Sequence, residues 1–413
     1  MNLNKLIFKV ISQDKFIDKL FFSSLVAISF IWIAFSFQFI ENGIFWDHEI
    51  YTKAIAVFNN GGNPYFPDQF DGYLSFVYHP LVLHVMALFG SLLPLLLIVF
   101  YFATIIYFLF SLKKNSNLWL STFLAFAYCD IGFISIASGN LTVFFHLILL
   151  ANLIRADPQH LSQNKYLNGG IINPHNTAYA SFIIFVLTFS IVKPYLLIYL
   201  AIPIFMRWGN SERVTKILSY ILIWGSIFLV LVISSSIFYS SEFTAFTSAL
   251  KNQTLGKRDM GFGIVMFFYD YYLSAGSLIY RAFILHFFIA GLVLLVFMYL
   301  AIKNKRIITD KKTFASFPFL LYFLLTLFNP RLKVYDFFPA LLALYIYFFS
   351  LKLTAVSRLL FLIAYILSLT QLTGTLFFVN HGIFSNPINT YYCSIGMILG
   401  LILIRLARPN FAN

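Results

Sequence analysis

Long apolar runs alternate with short polar stretches along almost the whole chain. A run of about 20 apolar residues with few charges predicts a helix that crosses a membrane. We count about twelve such runs, which predict an all-α polytopic membrane protein forming one domain over residues 1–413. Ten of the predicted spans cover residues 20–40, 95–112, 118–136, 141–154, 217–239, 281–302, 314–328, 337–351, 358–378 and 391–406. The remaining two flank Lys193-Pro194, one before it and one after it.

Two polar stretches are too long to be simple turns between these spans. The first covers residues 41–94 and the second covers residues 240–280. Lysines before the first span place the N-terminus in the cytoplasm by the positive-inside rule, so both stretches are predicted to be external loops. Within the first loop, His84 and Pro94 interrupt the short apolar run at 81–93, which predicts a helix lying at the membrane interface.

The composition agrees with this architecture and excludes a soluble domain. Hydrophobic residues make up 60% of the chain and charged residues only 10%, whereas soluble domains contain about 25% charged residues. Roughly 20 of the 28 Lys and Arg residues fall on the predicted cytoplasmic side, so the net charge of +13 reflects orientation and no nucleic-acid partner is expected. The two cysteines lack metal-binding spacing and no nucleotide-binding glycine motif is present, so we expect neither metal nor cofactor.

Charged residues on the predicted external side suggest a site. Bases on this side oppose the positive-inside rule, so we expect Lys193, Arg331 and Lys333 to bind an anion, and phosphate is the usual partner of Lys and Arg. Asp47, just beyond the first span, is a candidate general base for a hydroxyl acceptor. Simpler explanations also exist. A single acid after a span is more often an interfacial cap, and Arg331 and Lys333 can extend their charges to lipid headgroups.

A series of short motifs resembles glycosyltransferase family 87, a GT-C family of integral-membrane enzymes that use polyprenyl-phosphate sugars. The motifs are Asp-x-x-x-Tyr at 47–51, Tyr-x-x-Ala at 51–54, Gly-Gly-Asn-Pro-Tyr at 61–65, Tyr-His-Pro at 78–80, Gly-Asn at 139–140, Lys-Pro at 193–194, Asn-Pro-Arg at 329–331 and Tyr-Asp at 335–336. They occur in order over most of the chain, and the last two spans are the least specific. The motif at 78–80 has one proline where the family tends to have two.

This resemblance implies a GT-C-like helical bundle in the bacterial inner membrane, with its active site on the periplasmic or extracellular side. It implies transfer of mannose, or another hexose or pentose, from polyprenyl phosphate to a lipid or glycan hydroxyl, with inversion. Asp47 would be the general base, while Lys193, Arg331 and Lys333 would bind the donor phosphate. The substrate pocket would include His48, Tyr51, Tyr65, His79, Asn140, Tyr335 and Asp336.

Other functions fit parts of the same pattern. A transporter or flippase for a lipid-linked or anionic substrate would also use external bases and a broken helix. It would keep its polar groups near the middle of several spans, whereas most predicted spans here carry no charge. A membrane transferase of the O-antigen-ligase or polymerase type would need one dominant external loop with His and Arg. A non-catalytic scaffold would not need bases on the unfavoured side.

Overall fold

The computed structural model describes residues 45–70, 75–112, 130–156, 174–206, 211–253, 280–303 and 311–350, with a few isolated positions elsewhere. All regular secondary structure in these segments is helical, which confirms the prediction of an all-α protein for this part of the chain. The predicted spans at 20–40, 358–378 and 391–406, and most of the span at 118–136, lie outside the described residues.

The described helices follow the predicted apolar runs except in the two predicted external loops. They are α1 (Trp46–Asn59), α2 (Pro67–Phe70), α3 (Pro80–Phe89), α4 (Leu93–Ser111), α5 (Asp130–Ala137), α6 (Leu141–Ala156), α7 (Pro174–Ser190), α8 (Ala201–Met206), α9 (Ser211–Phe238), α10 (Ser240–Lys251), α11 (Tyr280–Lys303), α12 (Lys311–Thr326) and α13 (Val334–Ser350). A short 3-10 helix, Gly90–Leu92, joins α3 to α4. A second one, Pro194–Leu200, directly precedes α8. Of the α-helices, α1 and α2 lie in the first predicted external loop, and α10 lies in the second.

Among the described residues, three helical segments are long and apolar enough to cross a membrane: Pro80–Ser111, Val214–Phe238 and Tyr280–Leu300. Much of their surface is exposed apolar side chain, such as Val230 and Leu295. Soluble proteins rarely expose continuous apolar surface on this scale. These segments therefore indicate a membrane protein.

The first of these segments contains the helix that the sequence predicts at 81–93. A 3-10 turn at Gly90–Leu92 separates α3 from α4, and Gly90 has a φ of +49°. Pro80 occupies the first turn of α3, where a missing amide hydrogen costs nothing. The apolar surface continues from α3 into α4 through this turn.

The centre of the bundle is formed by α6, α12 and α13. Nearly every residue of α6 is buried, as are residues 317–327 of α12 and its loop and residues 336–348 of α13. A helix that is apolar around its whole circumference belongs inside a bundle. Helices α4, α7 and α13 pack against α6, and α12 packs against α13.

The ends of these helices meet at one end of the bundle. There α6 and α13 begin, α7 and α12 end, and α1, α3 and α10 lie beside them. The turn at Lys193 and the loop between α12 and α13 also lie at this end.

Candidate functional site

A cavity of about 800 Å³ lies at this end of the bundle. Most of the residues that the sequence predicts for the site line its wall: Asp47, Tyr51, His79, Asn140, Lys193, Arg331, Lys333, Tyr335 and Asp336. The candidate general base and the three candidate phosphate-binding residues therefore face one space, although they come from widely separated parts of the chain.

Asp47 belongs to the buried stripe of α1. The buried residues of this helix are Asp47, Tyr51, Ala54 and Ile55, whose spacing places them on one helical face. Glu49 and Lys53 lie on the exposed side. Asp47 thus occupies a position that ordinarily holds an apolar residue, and a buried carboxylate at such a position needs hydrogen-bond partners.

Asn140, at the start of α6, provides one of these partners. Its Nδ2 donates a hydrogen bond of 2.6 Å to Oδ2 of Asp47. The amide of Thr142 donates to Oδ1 of Asn140 at 3.0 Å, which fixes the orientation of the Asn140 side chain. The amide of Asp47 donates to the carbonyl oxygen of Ser138 at 2.8 Å. The start of α1 is therefore held against the turn between α5 and α6 by both backbone and side chain.

Glycine is required in this turn because of its close approach to Phe45. Gly139 has a φ of +68°, and a Cβ atom there would lie 3.0 Å from Cβ of Phe45. Phe45, the residue before α1, itself has a φ of +66°. That left-handed conformation is rare for a bulky residue, and such strain is concentrated at functional sites. The Gly-Asn motif at 139–140 thus allows Asn140 to reach Asp47.

Three tyrosines connect α1 to the start of α3. The hydroxyl groups of Tyr51 and Tyr78 share a hydrogen bond of 3.2 Å, and the hydroxyl of Tyr65 donates to the carbonyl oxygen of Tyr78 at 2.9 Å. Burial, with a further contribution from the negative charge of Asp47, raises the pKa of Tyr51 and of Tyr78 well above the ordinary range. These side chains therefore act as neutral hydrogen-bonding groups.

The Gly-Gly-Asn-Pro-Tyr motif has a structural explanation. A Cβ atom on Gly62 would lie 2.8 Å from Cγ1 of Val57, so the chain can turn back against α1 only with glycine there. The amide of Asn63 donates to Oε1 of Gln69 at 2.6 Å and closes the turn. This turn places Tyr65 beneath Tyr78.

Lys193 lies in the turn between α7 and the 3-10 helix Pro194–Leu200. Its Nζ lies 5.0 Å from the centre of the Tyr78 ring, which is a cation–π contact. The residue is partly exposed at the cavity wall, but desolvation of its ammonium group lowers the pKa from 10.5 to about 8. The positive charges of Arg331 and Lys333 also lower this pKa, whereas Asp336 and Asp47 raise it. The other four charged side chains thus act on Lys193 across the cavity.

The loop between α12 and α13 is shaped by Asn329, within the loop, and by Asp336, in the first turn of α13. Asn329 Oδ1 accepts a hydrogen bond of 3.0 Å from the amide of Arg331, and Asn329 Nδ2 donates to Oδ2 of Asp336 at 3.0 Å. The same oxygen of Asp336 accepts from the amide of Lys333 at 3.2 Å. These bonds fold the loop so that the side chains of Arg331 and Lys333 line the cavity.

Asp336 is also the centre of a buried network that sequence analysis missed. Tyr195 donates to its Oδ1, and His146 Nε2 lies 3.5 Å from the same oxygen. His146 Nε2 also lies 3.0 Å from the Tyr195 hydroxyl, and its Nδ1 is hydrogen-bonded to Tyr322. The network joins α6, α12, α13 and the 3-10 helix Pro194–Leu200. The only sequence signal for it is a single His within an apolar span.

Two of the predicted site residues lie beside the cavity and do not line its wall. Tyr65 is buried under Tyr78, to whose carbonyl oxygen it donates a hydrogen bond. His48 packs its ring edgewise against Tyr101, with 6.3 Å between ring centres, and its Nδ1 is buried without a hydrogen-bond partner in the described structure. Burial lowers the pKa of His48. The structure therefore gives neither residue a direct contact with the cavity.

The site combines a hydrogen-bonded carboxylate with basic side chains around one cavity. This combination can accept a proton from a hydroxyl group and stabilise negative charge on a phosphate oxygen. Within the described segments, no group of three or more His, Cys, Asp or Glu side chains is arranged to hold a metal ion.

No protein family, curated protein or solved structure matches this chain. The resemblance to glycosyltransferase family 87 therefore rests on the short motifs alone.

Proposed function

We propose that the protein is a membrane glycosyltransferase that moves a sugar from a polyprenyl-phosphate donor to a lipid or glycan hydroxyl, and that it is built as a GT-C-like bundle of about twelve transmembrane helices. The observation that supports this most strongly is the shared cavity. It contains Asp47, with its hydrogen bond from Asn140, together with Lys193, Arg331 and Lys333.

In the proposed reaction, Asp47 accepts the proton of the acceptor hydroxyl. The acceptor oxygen forms a bond to the anomeric carbon, with inversion, while the bond from that carbon to the phosphate oxygen breaks. The electron pair of the broken bond remains on the lipid phosphate. Lys193, Arg331 and Lys333 stabilise the charge that develops there, in the manner of other Lys and Arg clamps. Because the phosphate activates the donor, no nucleotide is needed.

The protein is proposed to act in the bacterial inner membrane, with the cavity on the periplasmic or extracellular side. The opposite ends of the helices carry basic residues, among them Arg155 at the end of α6 and Lys216 near the start of α9. By the positive-inside rule, that end lies in the cytoplasm. The cavity would then lie at the depth of the donor's phosphate headgroup.

A panel of donors tests this proposal. The purified protein is incubated with radiolabelled polyprenyl-phosphate sugars, including mannose and arabinofuranose, in the presence of lipid and glycan acceptors. We expect lipid phosphate to be released from at least one donor, with the label appearing in a new product. Absence of release from every donor would contradict the proposal.

Transport is the second candidate function, and the buried pair of His146 and Asp336 favours it. Ionisable groups inside a membrane bundle often mark substrate or proton paths, and these two lie 3.5 Å apart in the interior. The two functions differ in their product. A flippase or transporter in proteoliposomes would move the intact lipid-linked or anionic substrate across the bilayer, whereas the transferase releases lipid phosphate.

A further inference from the structure

The amides at the start of α6 are already engaged in hydrogen bonds. The amide of Leu141 donates to the Tyr51 hydroxyl at 3.2 Å, that of Thr142 to Asn140 Oδ1 at 3.0 Å, and that of Val143 to the Asn140 carbonyl oxygen at 3.2 Å. The helix start therefore does not act as an anion site. The neighbouring carboxylate of Asp47 would also repel an anion. This part of the cavity is suited to a neutral ligand group.

Thr142 contributes its side chain to this part of the cavity wall. Thr142 lines the cavity and is 1% exposed, and its Oγ1 is buried without a hydrogen-bond partner among the described residues. Thr142 lies two positions after Asn140, the residue that holds Asp47. Burying a hydroxyl without a partner costs free energy, so this group is expected to gain its partner from a ligand.

We propose that Thr142 Oγ1 binds a second hydroxyl group of the acceptor, beside the hydroxyl that Asp47 deprotonates, and that the acceptor is therefore a polyol such as a sugar or glycolipid headgroup. This inference rests on the proposed function. It makes Thr142 a specificity-determining residue, because an alcohol with a single hydroxyl would leave Oγ1 without a partner. A hydroxyl can both donate and accept, so it matches a neutral polyol without adding charge beside the carboxylate.

The test compares three variants in nanodiscs. Thr142→Val keeps the shape and removes the hydroxyl, Thr142→Ser keeps the hydroxyl, and Tyr101→Phe removes another buried hydroxyl that has no partner among the described residues and does not line the cavity. Binding of methyl mannoside, glucoside, galactoside and arabinoside, myo-inositol and glycerol is measured by saturation-transfer NMR. The Tm of each variant is measured in parallel.

We expect the wild type to bind at least one of these polyols, and Thr142→Val to bind it about tenfold more weakly, the effect of one lost hydrogen bond. Thr142→Ser and Tyr101→Phe should bind as the wild type does. The Tm of Thr142→Val should be unchanged or higher, because the variant loses a buried hydroxyl without a partner. Equal binding by Thr142→Val, or no polyol binding by the wild type, would overturn the inference.

The binding measurement separates this inference from the proposed function. If no donor is turned over but Thr142→Val loses polyol binding, the subsite stands and the transferase proposal fails. If transfer occurs and Thr142→Val has the wild-type KM for the acceptor, the subsite is wrong and the transferase proposal stands.

Discussion

Asp47 is the residue on which the proposed chemistry depends most. Its carboxylate is buried, accepts a hydrogen bond from Asn140 and faces the cavity that Lys193, Arg331 and Lys333 also line. A capping role at the membrane interface would require neither this burial nor these neighbours. The position of Asp47 therefore favours a chemical role over a purely structural one.

Asp47→Asn should abolish sugar transfer while leaving the fold intact. The side-chain amide oxygen of this variant can still accept the hydrogen bond from Asn140, but it cannot take up a proton. Loss of a general base lowers kcat by about 10² to 10⁴-fold. The measurement is release of lipid phosphate, with the Tm determined alongside. Glu49→Gln, an exposed position on the same helix, is the matched control and should keep full activity. Wild-type activity in Asp47→Asn would remove Asp47 from the mechanism.

The lowered pKa of Lys193 predicts that donor use depends on pH. Only the protonated side chain attracts phosphate, and its pKa of about 8 lies within the working range. Because kcat/KM reports the free enzyme, kcat/KM for the donor should fall as the pH rises through about 8. Lys193→Arg keeps its charge at high pH and should move this fall upward. A fall at the same pH in Lys193→Arg would assign it to another group.

The same pKa has a consequence for stability, with a definite sign. The folded-state pKa of Lys193 lies below 10.5, so the unfolded chain binds more protons between pH 8 and 10.5. The contribution of Lys193 to the free energy of unfolding therefore increases with pH across this window. At pH 7 the group is charged and desolvated, so Lys193→Met should raise the Tm while it weakens donor use.

At the scale of elements, the loop between α12 and α13 carries two of the three bases. Its backbone is fixed by Asn329 and by Asp336, which in turn is held by Tyr195 and His146. The positions of Arg331 and Lys333 thus depend on buried groups in other elements. The loop is a preorganised part of the cavity wall.

Arg331→Ala should impair donor use more than acceptor use. Loss of a hydrogen bond to a charged group costs about 1.5 to 3 kcal/mol, so kcat/KM for the donor should fall about 10 to 160-fold. Lys251→Ala, an exposed base outside the cavity wall, is the control and should behave as the wild type. Unchanged donor KM and kcat in Arg331→Ala would count against a role in phosphate binding.

The elements that could be predicted from sequence are those with a strong local signal. The run at 141–154 becomes α6, Leu141–Ala156, because it is apolar and follows the Gly139-Asn140 turn. In contrast, α10 lies in a predicted loop. Its many Ser and Thr residues make the sequence polar overall, so the short apolar face of the helix gives only a weak hydrophobic pattern. The contacts of Asp336 with His146 and Tyr195 join distant positions, so no local pattern could reveal them. The charge pattern and the motifs predicted Asp47 and the bases as site residues, and the structure shows that they line one cavity.

At the scale of the whole molecule, the proposed function requires the helix ends and loops around the cavity to lie on one side of the membrane. The cavity end and the opposite helix ends should therefore differ in accessibility. In a background with Cys129 and Cys393 replaced by Ser, Glu49→Cys should react with a membrane-impermeant maleimide added outside intact cells. Lys216→Cys, also exposed but at the opposite end of the bundle, should react only after lysis. The reverse pattern would place the cavity in the cytoplasm and exclude the proposed orientation.

The central claim is that one cavity holds the donor phosphate on Lys193, Arg331 and Lys333 while Asp47 faces the reacting carbon. An experimental structure of the Asp47→Asn variant with an intact polyprenyl-phosphate sugar tests this most directly. We expect the phosphate in hydrogen-bond contact with these three bases and the anomeric carbon on the side of position 47. A phosphate bound elsewhere, or a sugar turned away from position 47, would contradict it.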